Sequence, residues 1–280
     1  MKEKIYNSFH LDDTAFSDIL ASADESKASF DQLKPFSLEE LDALHSYDED
    51  FLVRFTYGSN SIEGSTLSLD DTTLILEGEF VPNKLGKEIF MAKGVADGFD
   101  YALQAFEQGV SITEEFIKEV HLRTALDNQP RTRGTYRTST VYLRGSEVVP
   151  ANPLYVREYM ADLVYAYEES TMHPLLKIAA FHVMFENIHP FQDGNGRTGR
   201  TLMNFMLMQG GYVPIALKAD AGGALTYSSA LQAWQLNGEA SGFISLIETL
   251  LKGEYEKRAE AVAHTRTATL KITGTPGTFS

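Results

Sequence analysis

The chain has 280 residues, 43% hydrophobic and 22% charged, a composition that suits an ordinary globule of one large or two small domains with a sizeable core. A net charge of −15 and a pI near 4.9 exclude a broad nucleic-acid or anionic-membrane surface, which needs clustered Lys and Arg. There is no cysteine, which rules out disulfides, Cys-ligated zinc and thiol catalysis; the start Met1-Lys-Glu-Lys-Ile-Tyr6 lacks a signal-like apolar run and no stretch approaches transmembrane length, so a cytoplasmic protein is the expectation.

In chain order, residues 1 to about 35 are polar with weak periodicity and read as loosely packed or as short helices. Ser37-Leu-Glu-Glu40 is a capping box that predicts a helix from Leu38 through Leu41, Leu44 and Phe51 towards Phe55, with a break near Ser46. On a helix, Ser59 and Glu63 lie one turn apart and Gly64 falls just past the end; by pattern alone Glu63 reads as a surface residue at a helix terminus. Ser68-Leu-Asp-Asp71 starts a short helix to about Glu77, and Gly78–Gly86 is a loop. Glu88–Phe106 carries Ile89, Phe90, Val95, Phe99, Leu103 and Phe106 at helical spacing, and Ser111-Ile-Thr-Glu114 caps a helix burying Phe116, Ile117, Val120 and Leu122. Arg131–Pro150 reads as strand, with Thr138-Ser-Thr140-Val141-Tyr142-Leu143, a turn at Gly145-Ser146 and a return at Val148-Val149. Pro153 starts a helix with Leu154, Tyr159, Leu163, Tyr165 and Ala166 on its apolar set. Pro174 starts another that is apolar on nearly all sides, hence central and buried. A helix from Gly196 packs beside it through Leu202, Met203, Phe205 and Met206, and Gly210-Gly211 stop it. Tyr227–Leu236 and Phe243 to about Ala263 are helical; the Thr- and Gly-rich tail from Thr265 to Ser280 is expected to be disordered.

The chemistry concentrates in His189-Pro-Phe-Gln-Asp-Gly-Asn-Gly-Arg-Thr-Gly-Arg200. A Gly-rich turn opening a helix offers unpaired N–H groups and the positive end of the helix dipole to a phosphate. Arg197 and Arg200 share a helical face and can fork onto phosphate oxygens. Asp193 is a hard oxygen ligand of the kind Mg²⁺ takes, and His189 can deprotonate a hydroxyl near neutral pH. Together they read as a site that transfers part of a nucleotide to a hydroxyl. Two rival motifs are weaker. Gly194-Asn-Gly196-Arg-Thr-Gly199, with Asp220 further on, satisfies the dinucleotide fingerprint, but that fingerprint requires a preceding strand and a helical run stands there instead. His182 and Glu186 do not have zinc-protease spacing, and His182 reads as a hydrogen-bonded core residue.

The same stretch, His189-Pro-Phe191-x-Asp193-Gly-Asn-Gly-Arg197-x-x-Arg200, resembles the Fic family signature at every defining position. The resemblance implies a mainly α-helical fold with a small β-hairpin flap, and transfer of AMP from ATP to a Ser, Thr or Tyr hydroxyl of a target protein, with auto-modification. It implies His189 as general base, Phe191 as the loop's anchor, Asp193 on Mg²⁺ (or Mn²⁺), Gly194-Asn195-Gly196 on the phosphates, and Arg197 and Arg200 neutralising them. Ser59-x-x-x-Glu63-Gly64 resembles the inhibitory helix of the class that carries it ahead of the core, where Glu63 would pair with Arg200 and fill the γ-phosphate space. The segment after Gly134-Thr-Tyr136-Arg137 resembles the flap that holds the target as an added strand, so Thr140, Val141, Tyr142 and Leu143 would dock it. Tyr227 fits a family aromatic near the adenosine, but Gln235 stands where Asn is expected, which leaves the nucleobase contacts open. The implied organisation is an inhibitory region at 1–111, a catalytic core at 112–251 and a helix end with tail at 252–280. Removal of AMP with Glu63 aligning a water, and a toxin-like or regulatory module that holds nucleotide without turnover, are the alternatives. The partners expected are a hydroxyl-bearing protein and a homodimeric copy, with neither nucleic acid nor membrane.

Overall fold

The computed structural model describes residues 1–143, 146–218 and 221–273. Eleven α-helices make up the described fold: α1 (Lys2–Ser8), α2 (Ser17–Asp31), α3 (Leu38–Ile62), α4 (Leu69–Leu76), α5 (Gly86–Glu107), α6 (Glu114–Thr124), α7 (Val156–Glu169), α8 (Pro174–Ile188), α9 (Asn195–Gln209), α10 (Ala221–Asn237) and α11 (Ser241–Thr273).

The centre is the α8–α9 pair. Every residue of α8 except Pro174 and Lys177 is buried, and so is every residue of α9 except Gly196 and Gln209. A helix apolar all round must be enclosed on all sides. α7, α10 and α11 pack on α8, while α3, α5 and α6 pack on α9. Met203 and Met206 belong to this core. The N-terminal helices are not loose: Ile5, Phe9, Leu20 and Phe30 join the same buried cluster as Phe185 and Leu251. Their short apolar sets looked weak in sequence because each contributes only a few side chains to a core built elsewhere.

α3 starts at the expected capping box, with Ser37 and Glu40 satisfying each other's backbone N–H groups. It has no break at Ser46. Phe51 and Phe55 pack at a tilt against Phe99 of α5, the Phe55–Phe99 centroids 5.2 Å apart, and this pins the middle of the helix. A Cβ at Gly58 would lie 2.2 Å from the Leu217 carbonyl oxygen, so a glycine is needed for α3 to lie against the 213–217 segment. On its other side α3 is tied to α11 by Arg54–Glu254 at 2.8 Å, Asp48–Arg258 at 2.6 Å and Glu40–Arg266.

Four local expectations change. The α6 cap is Thr113, which accepts from the Phe116 N–H, so Ser111 lies outside the helix; Leu122, 39% exposed, is off its buried face. Pro153 opens a 3-10 turn (Pro153–Tyr155) that leads into α7, and Leu154 and Tyr165 face outwards. Among the described residues there is no strand, so 138–143 and 146–150 are not the paired strands expected; Arg144 and the turn residue Gly145 lie outside the described residues. The two ends of this segment are instead gathered by one side chain, Arg137, which donates to the carbonyls of Ser139 and Ala151. Finally, α11 runs through residues 265–273, which the sequence placed in a disordered tail; residues 274–280 lie outside the described residues.

Candidate active site

α8 ends at His189, whose backbone is left-handed (φ 50°) and whose N–H donates to the Phe185 carbonyl at 2.8 Å. The chain turns back over Pro190–Asp193 and enters α9 at Gly194, also left-handed (φ 80°). Buried side chains lock this loop. Arg137 Nε donates to the His189 carbonyl at 2.7 Å and NH2 to the Ile188 carbonyl at 3.2 Å. Asn195 closes the loop on itself: Oδ1 accepts the Phe191 N–H at 2.8 Å and Nδ2 donates to the Phe191 carbonyl at 3.0 Å. The Phe191 ring is fully buried and stacks on His121 at 3.6 Å. His121 Nδ1 accepts the Gly134 N–H at 2.8 Å, so Nε2 carries the proton it donates to the Asp193 carbonyl at 2.9 Å. Burial pushes this imidazole down to about 4, so it is a neutral brace.

Arg200 is engaged by the C-terminal end of α3. Its Nε donates to Ser59 Oγ at 2.9 Å, and NH2 donates to the Ser59 carbonyl at 2.9 Å and to Glu63 Oε1 at 2.7 Å. Arg200 is 2% exposed and the Glu63 side chain 33%. A Cβ at Gly196 would stand 2.3 Å from Glu63 Oε1, so the carboxylate rests against the first turn of α9, where the helix attracts an anion. Burial pushes the Glu63 carboxyl up, but Arg200, with Arg197 and His189 behind it, overcomes this and holds it below the usual carboxylate range.

Arg197 is placed differently. Its NH1 donates to Asp127 Oδ1 at 2.5 Å and to the Thr124 carbonyl at 3.2 Å, at the end of α6, with both side chains buried. Sequence reasoning gave Asp127 and His121 no role, and no local pattern marks them; only the fold brings them to the signature.

His189, Glu186, Gly196, Arg200, Tyr227 and Glu63 line one cavity of about 220 Å³, with Leu143, Ser146 and Gln235 at its edge. Larger hollows of about 450 and 410 Å³ lie beside α1 and between α2 and α11, but neither includes a histidine or an arginine. Tyr227 OH donates to His182 Nε2 at 2.8 Å and its ring lies 5.8 Å from the Arg200 guanidinium carbon. Of the flap residues, Thr140 and Tyr142 are exposed and Leu143 reaches the cavity. His189 is pushed down to about 4, first by burial and then by Arg137, so it is neutral at pH 7 and able to accept a proton. Glu186 Oε2 lies 3.7 Å from His189 Nδ1, and burial pushes the Glu186 carboxyl up to about 8. Asp193 is exposed and uses one oxygen to accept the Gly194 N–H at 2.7 Å, leaving the other oxygen for a metal. Among the described residues no cluster of three His, Cys, Asp or Glu could hold a metal alone, so the donor set fits an ion completed by phosphate oxygens and water, as Mg²⁺ is usually held.

Residues 111–207, which contain this whole turn and both arginines, match the profile of the Fic/DOC family. The chain carries a Fic domain. A relative described as protein adenylyltransferase fic-1, from Caenorhabditis briggsae, is 35% identical over 176 residues, covering 59% of this chain and 34% of its own. Protein adenylyltransferase Fic of Nematostella vectensis is 34% identical, covering 58% and 39%. The solved Fic-1 (aa134–508) of C. elegans superposes with a TM-score of 0.77 at 25% identity over 89% of this chain and 72% of that one. A Fic domain containing signaling protein from Bacteroides thetaiotaomicron gives 0.76 at 25%, over 87% and 98%. The chain thus spans about a third to two fifths of the length of these curated relatives, and the matched residues include His189, the Gly194–Gly196 turn and both arginines.

Proposed function

We propose that the chain is a protein adenylyltransferase that transfers AMP from ATP to a hydroxyl of a target protein, and that Glu63 holds it in check. The observation that carries this is the 2.7 Å pair between Glu63 and Arg200, set against Gly196 at the mouth of α9 in the cavity of His189. The turn offers N–H groups and dipole to a polyphosphate, and Arg200 is the cation nearest that mouth. With Glu63 in place, a terminal phosphate would meet a like charge and find its arginine already engaged. ATP bound around this obstacle has its α-phosphate displaced, and misplacement of about 1 Å costs on the order of 10²-fold in rate.

Once Glu63 withdraws, the hydroxyl oxygen attacks the α-phosphorus and the bond to the bridging oxygen breaks. Pyrophosphate leaves with the electron pair, and His189 takes the hydroxyl proton. Asp193 would hold a divalent ion, which supplies charge neutralisation to the phosphates. The rest of the work is positioning and electrostatics by the α9 turn. The 138–143 segment, exposed at 138–140 and 142 and outside any strand, is the surface on which a target would lie as an added strand.

The test is labelling from α-labelled ATP, with auto-modification as the readout. Glu63→Gly should label on the order of 10²-fold faster than the native chain, and Glu63→Gly with His189→Ala should be silent. Equal rates for native and Glu63→Gly would mean that Glu63 is a helix-end residue with no control function. Labelling by the double variant would remove His189 as base.

A further inference from the structure

Glu186 is a buried acid in the active cavity to which the proposed mechanism gives no task. It lies on α8 three residues before His189, the residue that caps the helix. Its carboxyl tip rests against α9: a Cβ at residue 199 would stand 2.4 Å from Glu186 Oε1, so in this rotamer the carboxyl uses the space that Gly199 leaves open. Glu186 Oε1 has no hydrogen-bond partner among the described residues, and neither has His189 Nδ1. Two orphaned polar atoms in one buried site are costly unless something brings them together. The separation from Oε2 to Nδ1 is 3.7 Å, too long for a bond but within the range of a small side-chain adjustment. Such pairs often tighten only in the loaded enzyme.

The donors next to Glu186 hydrogen-bond to other groups. Arg200 turns Nε and NH2 to Ser59 and Glu63. His182 donates from Nδ1 to the Gly199 carbonyl at 3.1 Å and accepts at Nε2 from Tyr227. The backbone of His189 is held by the Phe185 carbonyl and by Arg137, while no side chain bonds its Nδ1 and the Glu186 main-chain carbonyl faces the ring. A base needs its tautomer fixed, because only the unprotonated nitrogen can take the hydroxyl proton.

We infer that Glu186 is a positioning residue that accepts a hydrogen bond from His189 Nδ1–H and so leaves Nε2 unprotonated towards the attacking hydroxyl. This rests on the adenylyltransferase reading. The competing acceptor is the Glu186 main-chain carbonyl, which also faces the imidazole and would need no carboxyl at all.

Three chains decide the matter, each in the Glu63→Gly background: Glu186 intact, Glu186→Met and Glu186→Gln. Methionine fills the space with no oxygen acceptor, whereas glutamine keeps one. Glu186→Met should lower kcat by about tenfold or more while leaving the KM for ATP unchanged, and Glu186→Gln should restore most of the rate. Nitrogen-15 spectra of the histidines, with His189→Ala to assign the signal, should show the Nδ1–H form in the intact and Gln chains and a mixture in the Met chain. Unchanged kcat in Glu186→Met, a loss carried by KM, or the same tautomer in all three chains overturns the inference. If Glu63→Gly itself transfers no AMP, the enzyme reading fails, and the spectra alone still decide what Glu186 does to His189.

Discussion

His182 shows how far burial can dictate a protonation state. Both ring nitrogens are spent, Nδ1–H on the Gly199 carbonyl and Nε2 on the Tyr227 hydroxyl, and burial pushes the ring down to about 3 from an ordinary 6.5. Between those values the unfolded chain binds the extra proton, so stability rises with pH across that window and is lost as pH falls through it. Glu186 has the opposite sign. Its folded value of about 8 lies above the ordinary 4.5, so its contribution is complete below 4.5 and is lost as pH rises through 8. Urea midpoints at pH 5, 6.5 and 8 should therefore show a shallower fall towards pH 5 in His182→Gln, and a smaller loss towards pH 8 in Glu186→Gln, than in the native chain. Native slopes in both variants would mean that neither group is held in the state its surroundings dictate. At this scale the sequence was most legible where chemistry is local. His189, the Gly194–Gly196 turn and Arg200 can be picked out because their types crowd into twelve residues. Asp127, which takes Arg197, sits in an unremarkable turn about 70 residues away, and no spacing rule reaches across a fold.

Among the elements, α3 couples packing to the site. Its start was readable from one capping box, because a cap is a contact between residues three apart. Its continuity past Ser46 was not, since the aromatic partner that holds the middle of it lies on α5. The 138–150 segment misled for the same reason in reverse: β-branched and aromatic residues make a strand only when a neighbouring strand pairs with them, and here Arg137 gathers the ends instead. Gly58 gives a test of the α3 seat. A methyl group there meets the Leu217 carbonyl oxygen at 2.2 Å, and backbone cannot swing aside as a flexible side chain can. Gly58→Ala should cost about 1–3 kcal/mol of stability by overpacking. Because Gly58 immediately precedes Ser59, the strain should also lift the last turn of α3 from Arg200 and raise basal labelling, though by less than Glu63→Gly does. Thermal unfolding and labelling measured on the same preparation check both halves. A less stable chain with native labelling would uncouple the seat from the site.

At the scale of the whole molecule, α3 is held on three sides. The Phe51–Phe55–Phe99 cluster fixes it to α5, Arg54, Asp48 and Glu40 tie it to α11, and only its last turn meets α9 through Ser59 and Glu63. The first two attachments join buried apolar surface to ion pairs whose inner partners, Glu254, Arg258 and Glu40, are nearly inaccessible to water, and such pairs are weakly screened. The third rests on two hydrogen bonds to Ser59 and on one carboxylate that is a third exposed. Removing Glu63 therefore weakens this attachment alone and leaves the other two intact. Arg200 keeps both Ser59 contacts, so its charge is not abandoned in the interior. Release should be local: in Glu63→Gly, amide exchange should quicken over residues 59–64 and stay at native rates over 47–57, with the unfolding midpoint little changed. Glu254→Ala should do the reverse, since it removes the acceptor of Tyr47, leaves Arg54 with Asp50 alone, and loosens 47–57 first. If exchange in Glu63→Gly instead spreads along all of α3, the helix undocks as a unit. Control would then lie in the whole α3 docking equilibrium, and the α11 ion pairs would set its resting level as much as Glu63 does.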